Sequence, residues 1–119
     1  MIETTNTMIR RVVADYEVAY PDPLVVRAGD VLNVGKEDPD YPGWVWCVNR
    51  NGKGGWVPDD CIELVGESAT ARYDYAATEL AATVGEELVV TNEKGGWALC
   101  TNRSGQSGWL PLANLDRKR

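Results

Sequence analysis

Apolar and polar residues alternate over short stretches of this chain, a period of two that is typical of half-buried β-strands. Val31-Leu32-Asn33-Val34 is one such stretch, and its pattern places Leu32 and Val34 on the same face of a strand. Twelve glycines and six prolines break the chain at short intervals, which favours many turns over long helices. The pattern therefore predicts an all-β protein.

The second half of the chain repeats the order of the first, which indicates an internal repeat. Trp44 and Trp56 are 12 residues apart, and Trp97 and Trp109 have the same separation. An Asn-Arg pair and a glycine-containing turn lie inside each tryptophan pair. In the first copy this turn holds Asn51-Gly52, which predicts a hairpin with a type I′ turn because both residues tolerate positive φ. Each tryptophan pair therefore marks a predicted β-hairpin.

The distance between equivalent residues of the two copies separates two contiguous domains from one continuous fold. Trp44 and Trp97 are 53 positions apart, whereas Tyr16 and Tyr75 are 59 apart. The change falls in predicted loops, where insertions are tolerated. We therefore predict two domains with differing loops. The predicted boundaries are a flexible N-terminus at 1–8, domain 1 at 9–65, a linker at 66–69, domain 2 at 70–116 and a basic tail at 117–119.

Charge and cysteine content limit the partners and the compartment. The net charge is −6, which disfavours nucleic acid and anionic membranes and favours a basic partner; solubility alone is the alternative explanation. Three cysteines are too few for a disulfide framework, and the repeat-equivalent Cys47 and Cys100 are predicted to be small buried side chains. No apolar run is long enough for a membrane span or a signal peptide core. We expect a monomer in the reducing cytoplasm.

The residue types needed for catalysis are missing or wrongly spaced. The chain has no histidine, so Ser–His and Cys–His pairs and histidine metal sites are excluded. Its cysteines do not have metal-ligand spacing. Gly52-Lys53-Gly54-Gly55 lies in the predicted hairpin turn and not in a phosphate-binding loop. We therefore predict a non-enzymatic protein with no catalytic residue, cofactor or metal.

Five features recur in the same order in both copies: an Ala-Asp-Tyr-like strand end, a long loop, a Gly-acid turn, a tryptophan strand and Gly-Trp-x-Pro. This order resembles SH3 domains. Ala71-Arg72-Tyr73-Asp74-Tyr75 closely matches the Ala-Leu-Tyr-Asp-Tyr signature of that family, and Val12-Val13-Ala14-Asp15-Tyr16 matches it partly. Gly55-Trp56-Val57-Pro58 resembles variant, prokaryotic-type SH3 domains more than animal signalling domains. The resemblance implies two tandem five-stranded, partly open β-barrels.

The resemblance also implies a function, which is to bind proline-containing or basic peptide segments in an aromatic groove. A polyproline II peptide is already extended and loses little entropy on binding. By resemblance, the peptide-binding residues of domain 1 are Tyr16, Trp44, Trp56 and Pro58, with Asp22, Asp38 and Asp40 as acidic candidates. Those of domain 2 are Tyr73, Tyr75, Trp97, Trp109 and Pro111, with Glu79 and Glu93 as acidic candidates.

Several positions depart from the family pattern and weaken the expected grooves. Ala14 replaces the first signature tyrosine of domain 1, and Cys61 and Asn114 replace a later groove tyrosine in domains 1 and 2. Domain 2 keeps Tyr73 and Tyr75, so we expect it to hold the better groove. Trp46 is predicted to pack in the core or at a domain contact.

Two functions of different classes stay open from the sequence alone. The first is a peptide-recognition module. The second is a structural or assembly protein in which the tandem barrels pack on each other or on a partner and the tryptophans are internal. Binding of peptidoglycan, which some bacterial SH3-like domains perform, is a lesser third alternative; the acidic charge argues against it.

Overall fold

A computed structural model of the chain describes residues 8–117. The predicted flexible N-terminus, except Met8, and Lys118 and Arg119 of the predicted basic tail lie outside the described residues. Within 8–117 the protein is all-β, as predicted, with short 3₁₀ helices at Asp59–Cys61 and Leu112–Asn114. This part of the chain has no helix with the length and apolar character needed to cross a membrane.

Eleven β-strands make up the described fold, and three sheets contain them. Their order is β1 (Ile9–Arg11), β2 (Val25–Val26), β3 (Val31–Glu37), β4 (Trp44–Val48), β5 (Gly54–Pro58), β6 (Ile62–Val65), β7 (Ser68–Ala71), β8 (Tyr75–Ala76), β9 (Glu87–Lys94), β10 (Trp97–Thr101) and β11 (Ser107–Pro111). The four-stranded sheet has the order β1-β9-β10-β11 and the five-stranded sheet the order β5-β4-β3-β7-β6. β2 pairs with β8.

The strands form two compact units that cut across the sequence repeats. Unit 1 contains the described residues up to Pro21 together with those from Glu79 onward. Unit 2 is Asp22–Thr78. In unit 2, β7 from the start of the second repeat lies between β3 and β6 of the first repeat. In unit 1, β1 from the first repeat pairs with β9 of the second. The first strand of each barrel thus comes from the other repeat. The predicted boundaries, 9–65 and 70–116, treat each repeat as a separate domain and do not describe this exchange.

The segment predicted as a linker, 66–69, is part of a hairpin and does not act as a spacer. Gly66 and Glu67 form a turn between β6 and β7, with Gly66 at a φ of 64°. The strands then pair in antiparallel register from Val65 opposite Ser68 to Ile62 opposite Ala71. A two-residue connection favours pairing of the strands that it joins. This short turn is a physical reason for the placement of β7 beside β6.

The two tryptophan hairpins, β4–β5 and β10–β11, form as predicted. Their turns are not type I′, however, because Asn51 does not have positive φ and only Gly52, at 87°, does. The side chain of Asn49 stabilises the first turn, since its Oδ1 accepts bonds from the backbone N–H groups of Asn51 and Lys53 at 2.9 Å. Asn102 does the same in the second hairpin, which explains the repeated asparagine.

Each unit has its own hydrophobic core, and each core contains residues of both repeats. In unit 1, Val12, directly after β1, packs with the second-repeat residues Leu80, Ala82, Leu88, Val90, Ala98, Cys100, Leu110 and Leu115. In unit 2, Ala69 and Ala71 of β7 pack with the first-repeat residues Leu24, Val26, Leu32, Cys47, Val57, Cys61 and Ile62. The exchanged strands therefore supply core side chains as well as backbone hydrogen bonds.

Cys47 and Cys100 are fully buried free thiols, as the repeat pattern predicts. Burial raises the pKa of each of these two thiols to about 11. Trp46, by contrast, does not belong to the core of unit 2. It lies opposite Trp56 on the other face of the β4–β5 hairpin, with the two rings edge to face at 5.1 Å. One of its two predicted placements, the core, is therefore wrong.

Candidate functional site

An aromatic pair in unit 1 joins residues of both repeats. Tyr16 follows β1 and Trp97 begins β10, and their ring centroids are 5.9 Å apart at an interplanar angle of 85°. This is an edge-to-face arrangement, a favourable geometry for aromatic rings. Both side chains are half-buried. The sequence had placed Tyr16 with Trp44 in one domain and Trp97 with Tyr73 and Tyr75 in the other.

The carboxylate of Glu79 lies beside this pair. Its Oε1 accepts a hydrogen bond from the Tyr16 hydroxyl at 2.8 Å and one from the Ala19 backbone N–H at 2.7 Å. Glu79 forms no ion pair within residues 8–117, so its negative charge is balanced only by these two neutral donors. A carboxylate has capacity for further bonds on its second oxygen. The arrangement therefore places a carboxylate at the hydroxyl of Tyr16, whose ring packs against Trp97.

A close backbone approach holds Glu79 in place. Residue 79 forms a parallel bridge with Trp109, and the Leu80 N–H donates to the Trp109 carbonyl at 3.0 Å. A side chain at Gly108 would place its Cβ 2.6 Å from the Glu79 carbonyl carbon. Only glycine fits there without backbone movement. The Gly-Trp-x-Pro motif thus serves in part to admit the segment that carries Glu79.

Trp109 and Pro111, two other predicted site residues, are both buried in unit 1. Trp109 is 6% exposed, so its ring offers little surface to a ligand. Pro111 lies opposite Trp97 in the β10–β11 register and stands on the same face of the hairpin. Of the residues predicted for the groove in unit 1, Tyr16, Trp97 and Glu79 are therefore half-buried and Glu93 is exposed.

The first tyrosine of the signature is replaced by Ala14 in unit 1, and the Asn114 side chain bonds to the backbone at this position. Asn114 Nδ2 donates to the carbonyl oxygens of Ala14 and Asp15 at 3.0 and 3.1 Å. The two positions that depart from the family pattern, Ala14 and Asn114, are thus bonded to each other. Unit 1 therefore has hydrogen bonds from Asn114 to the backbone where the family pattern has two tyrosine rings.

In unit 2 the tyrosines of the second repeat lie with the hairpin of the first. The Tyr75 hydroxyl donates to the Trp56 carbonyl at 2.9 Å, and the Tyr73 hydroxyl donates to Asp60 Oδ1 at 3.0 Å. Burial and the neighbouring Asp60 raise the pKa of Tyr73. Trp44 is only 4% exposed, while Trp56 is half-buried. In unit 2, Trp44 is therefore largely covered, whereas Tyr73, Tyr75 and Trp56 keep some exposed surface.

Cys61 and Pro58 complete this side of unit 2, and both are buried. Cys61 occupies the sequence position at which the family pattern has a groove tyrosine. Its thiol contacts the Tyr73 carbonyl oxygen at 3.7 Å. Burial raises the pKa of this thiol also. The side chain is too small to form a second aromatic wall.

Most of the other acidic candidates are engaged within their own unit. Asp22 is exposed and forms an ion pair with Lys53 at 2.8 Å. Asp38 Oδ1 accepts bonds from the backbone N–H groups of Asp40 and Tyr41, which fixes the loop before β4. Glu93 pairs with Arg10 at 3.4 Å. Of the acidic candidates bonded in this way, Glu79 alone contacts an aromatic residue predicted for the groove.

In the described part of the chain, no group of three or more cysteine, aspartate or glutamate side chains is arranged to hold a metal ion.

Two family models match consecutive parts of the chain. Residues 10–65 match the variant SH3 domain, and residues 70–112 match the SH3 domain. The chain belongs to the SH3 family. Its two SH3 domains follow in tandem along the sequence, although the barrels exchange their first strands.

Two curated proteins are similar to parts of this SH3 chain. Human proline-serine-threonine phosphatase-interacting protein 1 is 45% identical over 53 residues, which are 44% of this chain and 12% of that protein. Myosin-1 of Malassezia globosa is 34% identical over 62 residues, which are 52% of this chain and 4% of that protein. The chain thus spans a small part of each relative. No solved structure gives a significant match. The likeness to prokaryotic-type variants stays a prediction.

Sequence reasoning missed three residues that shape these SH3 sites. Asp60 accepts a hydrogen bond from the Tyr73 hydroxyl, although no motif points to it. Asn114 was noted only as a lost tyrosine. Arg10 was not noted, although its guanidinium binds the carbonyl of Asp116 at the other end of the chain. Their partners are 13 to 106 positions away, so no local pattern could have identified them.

Proposed function

We propose that unit 1 binds an extended peptide segment that carries a proline next to an arginine or lysine, without chemical change to the peptide. The observation that carries this proposal is the position of the Glu79 carboxylate, bonded to Tyr16, whose ring packs against Trp97. SH3 domains are protein-interaction modules, and the human relative is by its name a phosphatase-interacting protein. Both facts support a protein-binding role.

The chemistry of the site suits such a segment. A proline ring can pack on the half-buried aromatic faces, and the polyproline II backbone needs little ordering. A guanidinium or ammonium group can reach the free oxygen of Glu79 and lie over the Trp97 ring at the same time. The net charge of −6 attracts a basic segment from solution. A site of this small area binds weakly.

A peptide titration that records the tryptophan indole signals by NMR tests the proposal. One peptide carries arginine beside proline, a second replaces the arginine by glutamine, and a third replaces the prolines by alanine. We expect the Trp97 indole signal to shift and saturate with the first peptide and to shift less with the other two. A Trp97 signal that none of the three peptides moves would reject the proposal.

Glu79→Gln isolates the role of the charge. The amide keeps the size of the side chain and can still accept the Tyr16 and Ala19 bonds, so the aromatic pair should stay in place. We expect affinity for the arginine peptide to fall about tenfold, the loss expected for one charge-assisted bond, while affinity for the glutamine peptide stays unchanged. Glu17→Gln, at an exposed acid of the same unit, is the matched control. Equal losses in both variants would show only a general charge effect.

The structural alternative has a specific observation in its favour. Trp44 and Trp109 are 4% and 6% exposed, so two of the predicted groove tryptophans present almost no ring surface. An assembly role in which aromatic residues stabilise the protein and bind no peptide fits these two residues. The same titration separates the functions, because the assembly role predicts no saturable shift of Trp97. The cytoplasmic location stays a prediction.

A further inference from the structure

Each unit binds the segment that it receives from the other repeat through an equivalent set of hydrogen bonds, three between backbone groups and one from a backbone N–H to an aspartate side chain. We call residues 9–20 the first arm and 68–78 the second arm, and we call the remainder of each unit its host. In unit 1 the bonds are Val12 N to Glu86 O at 2.8 Å, Gly85 N to Val12 O at 2.9 Å, Val13 N to Asn114 O at 2.8 Å and Val84 N to Asp15 Oδ1 at 2.8 Å. In unit 2 they are Ala71 N to Asp30 O at 2.9 Å, Gly29 N to Ala71 O at 2.8 Å, Arg72 N to Cys61 O at 2.6 Å and Ala28 N to Asp74 Oδ1 at 2.9 Å.

This duplication means that the backbone does not distinguish the arms. Either arm could make the same bonds to either host, including to the host of its own repeat. That contiguous arrangement would place Tyr16 beside Trp44 and Tyr75 beside Trp97, as the sequence repeats suggest. Side chains and connections must therefore select the exchanged arrangement.

Arg10 and Ala69 occupy the same position in the two arms and differ most in size and charge. Arg10 lies opposite Leu88 on β9, and Ala69 lies opposite Leu32 on β3. In unit 1 the host supplies polar partners for the arginine. Its Nε donates to the Asp116 carbonyl at 2.7 Å, and its Nη1 lies 3.4 Å from Glu93 Oε2. Only 11% of this side chain is exposed, so the unit 1 host is built to enclose a guanidinium.

The host of unit 2 holds a small apolar side chain at this position. Ala69 is fully buried, and its cross-strand neighbours are the buried Leu32 on β3 and the exposed Leu64 on β6. An arginine in place of this buried alanine would overpack the core of unit 2, which costs stability. The reverse placement also costs stability, because an alanine opposite Leu88 would leave the part-buried Asp116 carbonyl without the guanidinium that donates to it.

We infer that Arg10 is a positioning residue that assigns the first arm, and with it Tyr16, to the host that carries Trp97 and Glu79. The pairing of Arg10 with Glu93 and Asp116 thereby decides which tyrosines complete which site. This inference rests on the proposed function only for its effect on peptide binding. The assignment of the arms can be measured without any peptide.

The short Gly66-Glu67 turn also favours the exchanged arrangement, since it keeps β7 beside β6. The test therefore uses a full-length background with a flexible Gly/Ser insertion of about 12 residues in this turn, which lets β7 reach either host. In that background we compare the parent with Arg10→Ala/Ala69→Arg, in which the two positions are swapped. Arg27→Ala, at an exposed arginine of the unit 2 host, is the control.

NOE contacts identify the arrangement directly. Contacts between residues 11 and 87 and between the Tyr16 and Trp97 rings report the exchanged form, whereas contacts between residues 11 and 31 and between Tyr16 and Trp44 report the contiguous form. We expect the parent and the Arg27→Ala variant to keep the exchanged contacts and the swapped variant to show the contiguous ones. We also expect the swapped variant to have a higher free energy of unfolding than Ala69→Arg alone. If Arg10 only stabilised unit 1, its removal would lower the stability of Ala69→Arg further.

Two outcomes would overturn the inference. If the insertion alone gives contiguous contacts, the turn decides the arrangement and Arg10 does not. If the swapped variant keeps the exchanged contacts, or is no more stable than Ala69→Arg, the arginine site has no selective role. If the parent shows the exchanged NOE contacts but its Trp97 indole signal does not respond to the arginine peptide, only the proposed function is rejected.

Discussion

At the scale of single residues, a glycine and an asparagine set the geometry of the unit 1 site. Gly108 admits the backbone of Glu79 and Leu80, and Asn114 bonds the carbonyls of Ala14 and Asp15. Gly108 is buried, and the amide of the half-buried Asn114 is engaged in these two bonds. They fix the strand ends from which Tyr16 and Glu79 project. The site therefore depends on residues that would not be chosen as ligand contacts.

Gly108→Ala tests the close approach at Glu79. The added Cβ would lie 2.6 Å from the Glu79 carbonyl carbon and 2.7 Å from the Leu80 nitrogen, so the backbone must shift. We expect the free energy of unfolding to fall by about 2 kcal/mol and the affinity for the arginine peptide to fall with it. Chemical denaturation measures the first effect and the indole titration the second. Ser104→Ala, at an exposed hairpin residue, should change neither, and unaltered stability in Gly108→Ala would contradict this account.

At the scale of structural elements, the hairpins and the arms behave differently. Both tryptophan hairpins close on themselves, and each carries an asparagine that bonds to two backbone N–H groups of its own turn. Their bonds are local, so the sequence predicts them well. The arms make their bonds to strands of the other repeat, 76 to 106 positions away in the case of Arg10, Arg11 and their partners. The local sequence of an arm does not determine which repeat it pairs with.

Double-mutant cycles can identify which arm lies beside which hairpin. Removal of Tyr16 and Trp97 together should cost less than the sum of the single losses, because the rings contact each other. We expect a coupling of about 1 kcal/mol in the free energy of unfolding for Tyr16→Ala with Trp97→Ala. Tyr16→Ala with Trp44→Ala should be additive within about 0.5 kcal/mol. The reverse result would indicate contiguous barrels.

At the scale of the whole molecule, the fold consists of one barrel sequence inserted in another. Unit 2 is the continuous stretch Asp22–Thr78, whereas unit 1 is formed by the described residues before and after it. The core residues of unit 2 all come from this continuous stretch, including Ala69 and Ala71 of β7. The stretch that folds as one barrel, 22–78, therefore differs from the stretches that match the family models, 10–65 and 70–112.

A fragment that contains only Asp22–Thr78 should fold by itself as a permuted SH3 barrel. It holds the complete five-stranded sheet β5-β4-β3-β7-β6 and the β2–β8 pair, with the whole unit 2 core. We expect dispersed amide NMR signals that match those of unit 2 in the full chain, and cooperative unfolding of marginal stability for its size. A fragment with the spectrum of an unfolded chain would show that unit 2 requires the rest of the protein.

Much of this protein could be predicted from its sequence, and the successes share one property. The all-β class, the two hairpins, the repeat, the SH3 family and the burial of Cys47 and Cys100 all follow from periodicity or from residues close together in the chain. The grouping of site residues failed because it assumed that each repeat folds with itself. Asp22 and Glu93 were plausible from charge alone, but Lys53 and Arg10 engage them.

The sequence by itself determined the kind of parts in this protein: strands, turns, aromatic positions and acidic loops, each set by local periodicity and side-chain type. Only the tertiary structure decided how the parts combine. Because the repeats offer equivalent backbone bonds, the partner of each arm is set by the Gly66-Glu67 turn and by burial at positions 10 and 69. Both effects exist only once distant strands lie side by side. For that reason Tyr16 and Trp97, 81 residues apart, share one site.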